Sequence, residues 1–400
     1  MENLHRKFKL FFVVHDHSGA RTYADQLLAC LTFYPQVNIT KVFYESRSHS
    51  EFFVDPCRGE IHIPPVKNRL GELGKYARRC ADLLFPFIKG KEEIVFHLNY
   101  NTQSKLANEV KHRFNAKIVY TLHFLPDYFS YLAHNNSWDT KLITTGDALE
   151  REMFETAHRV ITVTHFAKKS IEQVYNIPES KLIAIHNGFS PAITAETLQP
   201  ISSEKCGFTK MDQIILYAGA LEGRKGVKEL VEAFNIVADK CPRARLVIAG
   251  SGNFDEVMGS IQTNWGRITF TGNIPYPLLA QLYRTATIGV ISSVFEQCSY
   301  VALEMMSYGL PVVVNNAPGL AELYTHTETG WVVPLMCGSS EKLKLKVDIK
   351  AFADGIIEMI GNEQLRKKIA WNSRKRWEKC FTAERMCIET LNEYKKLINE

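Results

Sequence analysis

Two glutamates with seven residues between them, Glu296 and Glu304, are the side chains whose type and spacing point most directly to chemistry. They lie in the segment 290–314, which reads as an apolar strand, a polar turn, a helix and a second apolar strand. If the helix begins near Ser299, Glu296 lies in the turn ahead of it and Glu304 in its second turn, so both carboxylates can face one pocket. Carboxylates accept hydrogen bonds from hydroxyl groups, which predicts a polyol ligand beside them.

The start of the same helix predicts a phosphate next to that polyol. Its first residues, Ser299, Tyr300 and Val301, present backbone N–H groups that have no helical partner. These groups lie at the positive end of the helix dipole, which suits an anion. A phosphate together with a polyol indicates a nucleotide sugar.

A second anion-binding pattern occurs where a strand, a glycine turn and an amphipathic helix follow one another. Glycines at positions 219, 223 and 226 bracket Arg224 and Lys225 immediately before the helix. Arginine offers a planar fork of donors, lysine a mobile point charge, and the helix entrance adds backbone N–H groups. The pattern predicts a site for a diphosphate.

The other candidate residues of the second half share one position, because each follows a predicted strand at its carboxyl end. The strand at 245–249 is followed by Gly250, and the strand at 268–272 is followed by Asn273 and Ile274. Ligands of open α/β sheets bind at the carboxyl ends of the strands, so these turns are predicted to line the same site.

The first half of the sequence repeats this arrangement. The strand at 10–14 is followed by a small-residue turn in which Gly19 opens a helix, and the strand at 117–122 is followed by His123. Gly19 lets the backbone come close to a ligand. No complete Gly-x-Gly-x-x-Gly is present, so a dinucleotide site is not predicted.

The two glutamates resemble the Glu-x7-Glu motif of the retaining glycosyltransferases of family 4, which have the GT-B fold. The resemblance implies that Glu296 holds sugar hydroxyls and that Glu304 holds the nucleotide ribose. Lys225 is similar to the lysine of that family's Gly-Arg-x-x-x-x-Lys-Gly element. The usual arginine is Ala220 here, so either Arg224 takes over the diphosphate contact or binding relies on Lys225 alone.

Further roles follow from the same resemblance. His123 matches the histidine of the family's Thr-x-His element, which approaches the donor hexose or the acceptor. Gly19 lies by the donor diphosphate, and the backbone around Asn273 and Ile274 meets the nucleobase. The segment 125–145, with Asp127, looks like an acceptor loop. The predicted donor-binding residues are therefore Gly19, Arg224, Lys225, Gly250, Asn273, Ile274, Glu296, Ser299, Tyr300, Val301 and Glu304.

The fold implied is α/β, with two Rossmann-like domains facing across a cleft. Residues 1–190 form the acceptor domain, completed by the last helix at 383–400. A polar stretch at 191–210 is the predicted linker, and residues 211–382 form the donor domain. Four hundred residues with 46% hydrophobic and 23% charged side chains suit a chain of two to three domains.

Composition excludes several function classes. The formal net charge of +5 is small for this length, so nucleic-acid binding has no support. Nine scattered cysteines without a Cys-x-x-Cys predict a reduced, cytoplasmic protein that lacks a structural metal. The apolar run near the N-terminus is too short for a signal peptide, and no stretch reaches the ~20 apolar residues of a membrane span.

One basic segment leaves two interpretations open. Residues 67–91 contain seven basic and two acidic residues, on a predicted amphipathic helix. Such a helix packs on its own sheet, or it lies on an anionic membrane surface as a peripheral contact at the inner face.

The sequence therefore predicts a retaining transfer of a hexose or N-acetylhexosamine from a nucleotide sugar, with a UDP-sugar favoured. The acceptor is a hydroxyl group on a glycan, a lipid-linked or a peptide acceptor. His123, Lys225 and Glu296 are the predicted catalytic residues, and Asp127 the acceptor contact. No Asp-x-Asp occurs, so no metal and no cofactor are expected. The alternatives are a nucleotide-sugar epimerase or phosphorylase on this fold, and a non-catalytic GT-B partner subunit.

Overall fold

Apolar runs of three to eight residues form the strands of two parallel sheets, as buried Val-, Ile- and Phe-rich segments favour. The structure, a computed structural model, describes residues 6–14, 19–46, 48–65, 72–88, 90, 92–124, 145–191, 208–209, 211–337 and 345–400. The chain divides into two units. The first comprises Met1–Gly188 with Ala383–Glu400, and the second comprises Phe189–Thr382.

The first unit is built on an eight-stranded sheet. Its order is β3-β4-β2-β1-β5-β6-β7-β8, and neighbours run parallel except for β3 and β4. The strands are β1 (Phe8–Val14), β2 (Val37–Tyr44), β3 (Phe53–Asp55), β4 (Glu60–Ile63), β5 (Glu93–Leu98), β6 (Lys117–Leu122), β7 (Arg159–Thr162) and β8 (Leu182–Ala184). The helices are α1 (Gly19–Leu31), α2 (Leu73–Leu84), α3 (Ser104–Phe114), α4 (Thr145–Thr156) and α5 (His165–Tyr175).

The order of strands reverses between β1 and β5, because the chain first builds outward through β2 and then returns to the other side of β1. Such a reversal opens a crevice at the carboxyl ends of the two strands, where ligands of doubly wound sheets bind. The C-terminal helix (Ala383–Asn399) belongs to this unit and packs on α1. Its Tyr394 hydroxyl lies 2.5 Å from Nδ1 of the buried His97 on β5.

The second unit has a six-stranded sheet with the same kind of reversal, between β9 and β12. Its order is β11-β10-β9-β12-β13-β14, and all neighbours are parallel. The strands are β9 (Gln213–Ala218), β10 (Ala244–Ala249), β11 (Ile268–Gly272), β12 (Ile288–Ile291), β13 (Val312–Asn315) and β14 (Trp331–Val333), with a separate hairpin of β15 (Leu335–Cys337) and β16 (Leu345–Val347). The helices are α6 (Val227–Lys240), α7 (Phe254–Met258), α8 (Tyr276–Thr285), α9 (Tyr300–Ser307), α10 (Pro318–Ala321), α11 (Ile349–Gly361) and α12 (Glu363–Cys380).

The predicted α/β class is confirmed in both units, and most predicted strands coincide with observed ones. The linker predicted at 191–210 falls largely outside the described residues, since 192–207 and 210 are not among them. Among the described helices, none combines the length and apolar character that crossing a bilayer requires.

Candidate functional site

The turns that follow β9 and β12 are hydrogen-bonded to each other, because the two strands are neighbours in the sheet. The backbone N–H of Val294 donates to the carbonyl of Arg224 at 3.0 Å, and the Ser292 hydroxyl donates to the carbonyl of Lys225 at 2.8 Å. Gly226 has φ +63°, and a Cβ there would lie 2.3 Å from the Ser292 carbonyl oxygen. Only glycine allows this approach.

This contact brings together Lys225 and Glu296, which belong to separate motifs in the sequence. Lys225 Nζ lies 2.5 Å from Glu296 Oε1, and the Ser293 hydroxyl donates to the same oxygen at 3.0 Å. The side chains of the pair are 18% and 9% exposed, so the charges interact in a less screened environment than a surface ion pair. An ammonium group and a carboxylate therefore stand side by side at the carboxyl edge of the sheet.

A third turn, which follows β13, holds the backbone of Glu296. The N–H of Gly319 donates to the Glu296 carbonyl at 3.2 Å. A Cβ at Gly319 would lie 1.5 Å from the carbonyl oxygen of Gln297, so the two segments touch without room for a side chain. Asn315, the last residue of β13, donates through Nδ2 to the Ser292 carbonyl at 2.7 Å. Backbone contacts from two sides thus fix the position of Glu296.

The helix predicted near Ser299 is α9, and Ser299 is its N-cap. The Ser299 hydroxyl accepts a hydrogen bond from the N–H of Ala302, which is the usual N-cap interaction. Tyr300 and Val301 therefore lie in the first turn, as the sequence predicts, and their N–H groups are at the positive end of the helix dipole. This turn follows the same loop that carries Glu296.

Glu304 lies in the second turn of α9 and is buried. The Tyr283 hydroxyl on α8 donates to its Oε2 at 2.6 Å. Burial raises the pKa of Glu304 to about 7, and the hydrogen bond from Tyr283 works in the opposite direction. The group therefore changes charge near neutral pH and can accept hydrogen bonds from hydroxyls in its ionised form.

Arg224 makes a different contact from Lys225. Its Nε donates to Oε2 of Glu222 at 2.8 Å, and its side chain is 34% exposed. Arg224 therefore lies beside Lys225 in the turn but bonds an exposed acid of its own turn. Its predicted diphosphate contact stays a prediction.

The remaining candidates of the second unit lie on strands further from β12. Gly250 follows β10, and a Cβ there would lie 1.8 Å from the Gly219 carbonyl oxygen. Packing against the turn after β9 is therefore enough to explain the glycine, whether or not a ligand binds beside it. Asn273 and Ile274 follow β11, the edge strand. Asn273 is exposed, whereas Ile274 lines a mainly apolar cavity of about 190 Å³ under α8.

In the first unit, His123 follows β6 and faces Asn99, which follows β5. His123 Nε2 and Asn99 Oδ1 are 2.9 Å apart, and the Tyr23 ring packs edge-on against the imidazole with 4.6 Å between centroids. Burial lowers the pKa of His123 to about 3. Gly19 is the first residue of α1. Asp127 and the rest of the predicted acceptor loop up to residue 144 lie outside the described residues.

Three residues that hold the predicted side chains have no motif of their own: Asn99, Ser293 and Tyr283. Asn99 directly follows β5 and Ser293 closely follows β12, so the rule that ligands bind at the carboxyl ends of strands could have identified both. Tyr283 lies inside α8, and only the tertiary structure places its hydroxyl on Glu304.

Two family models match the chain, one for each half. The model described as glycosyl transferases group 1 matches residues 199–376, and the model described as glycosyltransferase family 4 matches residues 18–192. The chain is also 30% identical over 245 residues to the uncharacterized glycosyltransferase MJ1607 of Methanocaldococcus jannaschii, covering 59% of this chain and 60% of that protein. Among four curated relatives, the match covers 60% to 65% of the relative's own length, which is less than two thirds.

Solved structures share the fold at low sequence identity. Sucrose-phosphate synthase from Thermosynechococcus elongatus superposes with a TM-score of 0.76 at 19% identity, over 98% of this chain and all 100% of the other. HepE from Anabaena, solved in complex with UDP-glucose, superposes with a TM-score of 0.70 at 17% identity, over 96% and 99% of the two chains.

Proposed function

The chain belongs to glycosyltransferase family 4, with the GT-B fold, and we propose that it is a retaining, metal-independent glycosyltransferase. It moves a hexose or N-acetylhexosamine from a nucleotide sugar to a hydroxyl group of a glycan, a lipid-linked or a peptide acceptor. One observation carries the proposal. Lys225 and Glu296 are brought together beside the N-terminus of α9, which combines groups for a diphosphate with a group for sugar hydroxyls.

In the proposed reaction, the bond between the anomeric carbon and the leaving phosphate oxygen breaks. The acceptor hydroxyl oxygen bonds to the same face of that carbon, and its proton passes to the leaving phosphate. The nucleoside diphosphate gains negative charge as the bond breaks, and Lys225 with the first turn of α9 stabilises that charge. Glu296 orients the hexose and Glu304 the ribose by accepting hydrogen bonds. No step requires a metal or another cofactor.

A UDP-sugar is the favoured donor in this proposal. The support is that HepE, which shares the fold, was solved with UDP-glucose. We place the protein in the cytoplasm, with a peripheral contact at the inner membrane face through residues 67–91. The support for that contact is a surface with Phe85 60% exposed and the exposed cations Lys75 and Arg78. Failure to co-sediment with anionic vesicles would remove this part.

The test is steady-state release of nucleoside diphosphate from UDP-, GDP- and ADP-sugars in the presence of glycan acceptors. Lys225→Ala should lower kcat on the order of 10²-fold, the scale of one lost transition-state electrostatic contact. Lys228→Ala is the matched control, because Lys228 lies exposed on the first turn of α6 just beyond the site. A Lys225→Ala enzyme with near-normal kcat would contradict the assigned role.

The same reaction mixtures test the stereochemistry and the alternative reactions. Proton NMR of the product should show the anomeric configuration of the donor, and inversion would overturn the retaining mechanism. Incubation of the nucleotide sugar without an acceptor should yield no epimer. An epimer would identify an epimerase on this fold instead.

A further inference from the structure

The side chain of Asn99 is held in one orientation at the carboxyl end of β5. Its Nδ2 donates to the Val13 carbonyl at 2.9 Å, and its backbone N–H donates to Gln103 Oε1 at 2.9 Å. The residue is 3% exposed. Because a carbonyl oxygen only accepts hydrogen bonds, the amide nitrogen must face Val13, and the amide oxygen must face the opposite way.

The amide oxygen faces His123, and this fixes the proton of the imidazole. Asn99 Oδ1 lies 2.9 Å from His123 Nε2 and can only accept, so Nε2 must carry the hydrogen. In a neutral imidazole the other nitrogen, Nδ1, then carries the lone pair. Within the described part of the chain, Nδ1 has no hydrogen-bond partner.

The surroundings keep the ring neutral. The groups that pack against it from α1 and β5 are the Tyr23 ring and the buried His97, and neither supplies a negative charge. Burial lowers the pKa of His123 to about 3, so the imidazole stays uncharged across the physiological range. His97 is itself bonded to Thr121 Oγ1 at 2.7 Å, and Thr121 lies 3.2 Å from the Tyr23 hydroxyl, which holds both neighbours in place.

We propose that Asn99 is a positioning residue that locks His123 as the Nε2–H tautomer, so that Nδ1 accepts a hydrogen bond from a hydroxyl group of the substrate. The ligand at this nitrogen is a hydroxyl donor and not a phosphate oxygen, because a lone pair repels an anion. Whether this hydroxyl belongs to the hexose or to the acceptor rests on the proposed function. The tautomer of His123 and the positioning role of Asn99 rest on the observed hydrogen bonds alone.

The test is nitrogen-15 NMR of the full chain labelled only at histidine, recorded without substrate. His123→Gln identifies the signals of His123 by their loss. In the wild-type protein the signals should be those of a neutral Nε2–H imidazole, and they should not move between about pH 5.5 and 8. A neutral Nδ1–H imidazole, or a ring that titrates in this range, overturns the proposal.

Variants of Asn99 separate positioning from general support of the fold. Asn99→Asp places a carboxylate beside Nε2, so the pKa of His123 should rise into the interval between about pH 5.5 and 8 over which the spectra are recorded. Asn99→Ala should give a mixture of tautomers and lower kcat roughly 10-fold, the scale of one lost hydrogen bond between neutral groups. Asn108→Ala is the matched control, because Asn108 bonds Glu152 on α4 and does not contact His123. It should leave the His123 signals unchanged.

The two proposals fail in distinguishable ways. An Nε2–H histidine in a protein that transfers no sugar would overturn the proposed function and keep the role of Asn99. The opposite outcome is a protein that transfers sugar but shows the Nδ1–H tautomer, or one in which the Asn99 variants leave the His123 signals unaltered. Either result would overturn the role of Asn99 and keep the proposed function.

Discussion

At the scale of single residues, Glu304 is a buried carboxyl group that the proposed function assigns to the ribose hydroxyls, and it accepts their hydrogen bonds best in its ionised form. Burial raises its pKa to about 7, and the Tyr283 hydroxyl at 2.6 Å is the group that favours the anion. Tyr276 and Tyr283, which lie near it on α8, have raised pKa values and stay protonated in the same range. Near neutral pH, therefore, only Glu304 among these three changes charge.

We expect nucleotide binding to release a proton from Glu304. Ribose hydroxyls favour the ionised carboxylate, so at pH 7, where roughly half of the groups are protonated, binding should release roughly half a proton. Affinity should fall as pH drops below about 7, by at most about tenfold per unit. Isothermal titration calorimetry in buffers of different ionisation enthalpy measures the released proton.

Glu304→Gln provides the control for this measurement. Glutamine keeps an acceptor oxygen but does not titrate, so the proton release should disappear. Equal proton release by the wild type and Glu304→Gln would show that another group titrates on binding.

At the scale of elements, the site depends on three turns whose backbones touch. Gly226 and Gly319 are the positions where a Cβ would strike a carbonyl oxygen of the turn after β12. Strand neighbours bring the turns to one edge of the sheet, but the glycines determine how closely they approach. The positions of Lys225 and Glu296 therefore depend on the contacts among all three turns.

We expect Gly319→Ala to destabilise the second unit by about 2 kcal/mol, because the added methyl group has no space beside the Gln297 carbonyl. Gly266→Ala is the control, since nothing lies within 4 Å of a Cβ there, and its effect should stay within about 0.5 kcal/mol. Urea unfolding followed by tryptophan fluorescence measures both, because Trp265, Trp331, Trp371 and Trp377 belong to this unit. Equal stability of the two variants would contradict the close contact.

Elements were predictable from sequence where an apolar run was bounded by glycine or polar residues. The strands predicted at 117–122 and 268–272 have the observed bounds. The helix α12 has no such signal, because its sequence is polar on most faces and only Ile369, Ser373 and Trp377 are buried. The strands β3 and β14 have only three residues each, which is too short for an alternation of apolar and polar residues to identify them.

At the scale of the whole molecule, the predicted fold class is confirmed. It could be predicted because the same β–turn–α pattern recurs in both halves, and this pattern is visible within short stretches of sequence. The order of strands is not local. The reversals at β1/β5 and β9/β12, which bring Asn99 to the Val13 carbonyl and Lys225 to Glu296, depend on tertiary packing. The sequence therefore predicted candidate residues at the ends of strands, and the structure shows which side chains the described candidates contact.

Most of the groups assigned to the phosphate, the ribose and the hexose belong to the second unit, among them Lys225, Glu296, Ser299 and Glu304, whereas Gly19 and His123 belong to the first. We therefore expect this unit to bind the nucleoside diphosphate part of an activated sugar. Binding should then be detectable without an acceptor and should depend on the lysine that lies against Glu296.

The most direct measurement is calorimetric titration of the full chain with UDP, GDP and ADP. We expect one of the three, with UDP favoured, to bind in the micromolar range, and Lys225→Ala to weaken that binding at least about 10-fold through the loss of a charge-assisted contact. Lys228→Ala should bind as the wild type does. Absence of binding by all three nucleotides, or equal affinity in Lys225→Ala and the wild type, would contradict the account.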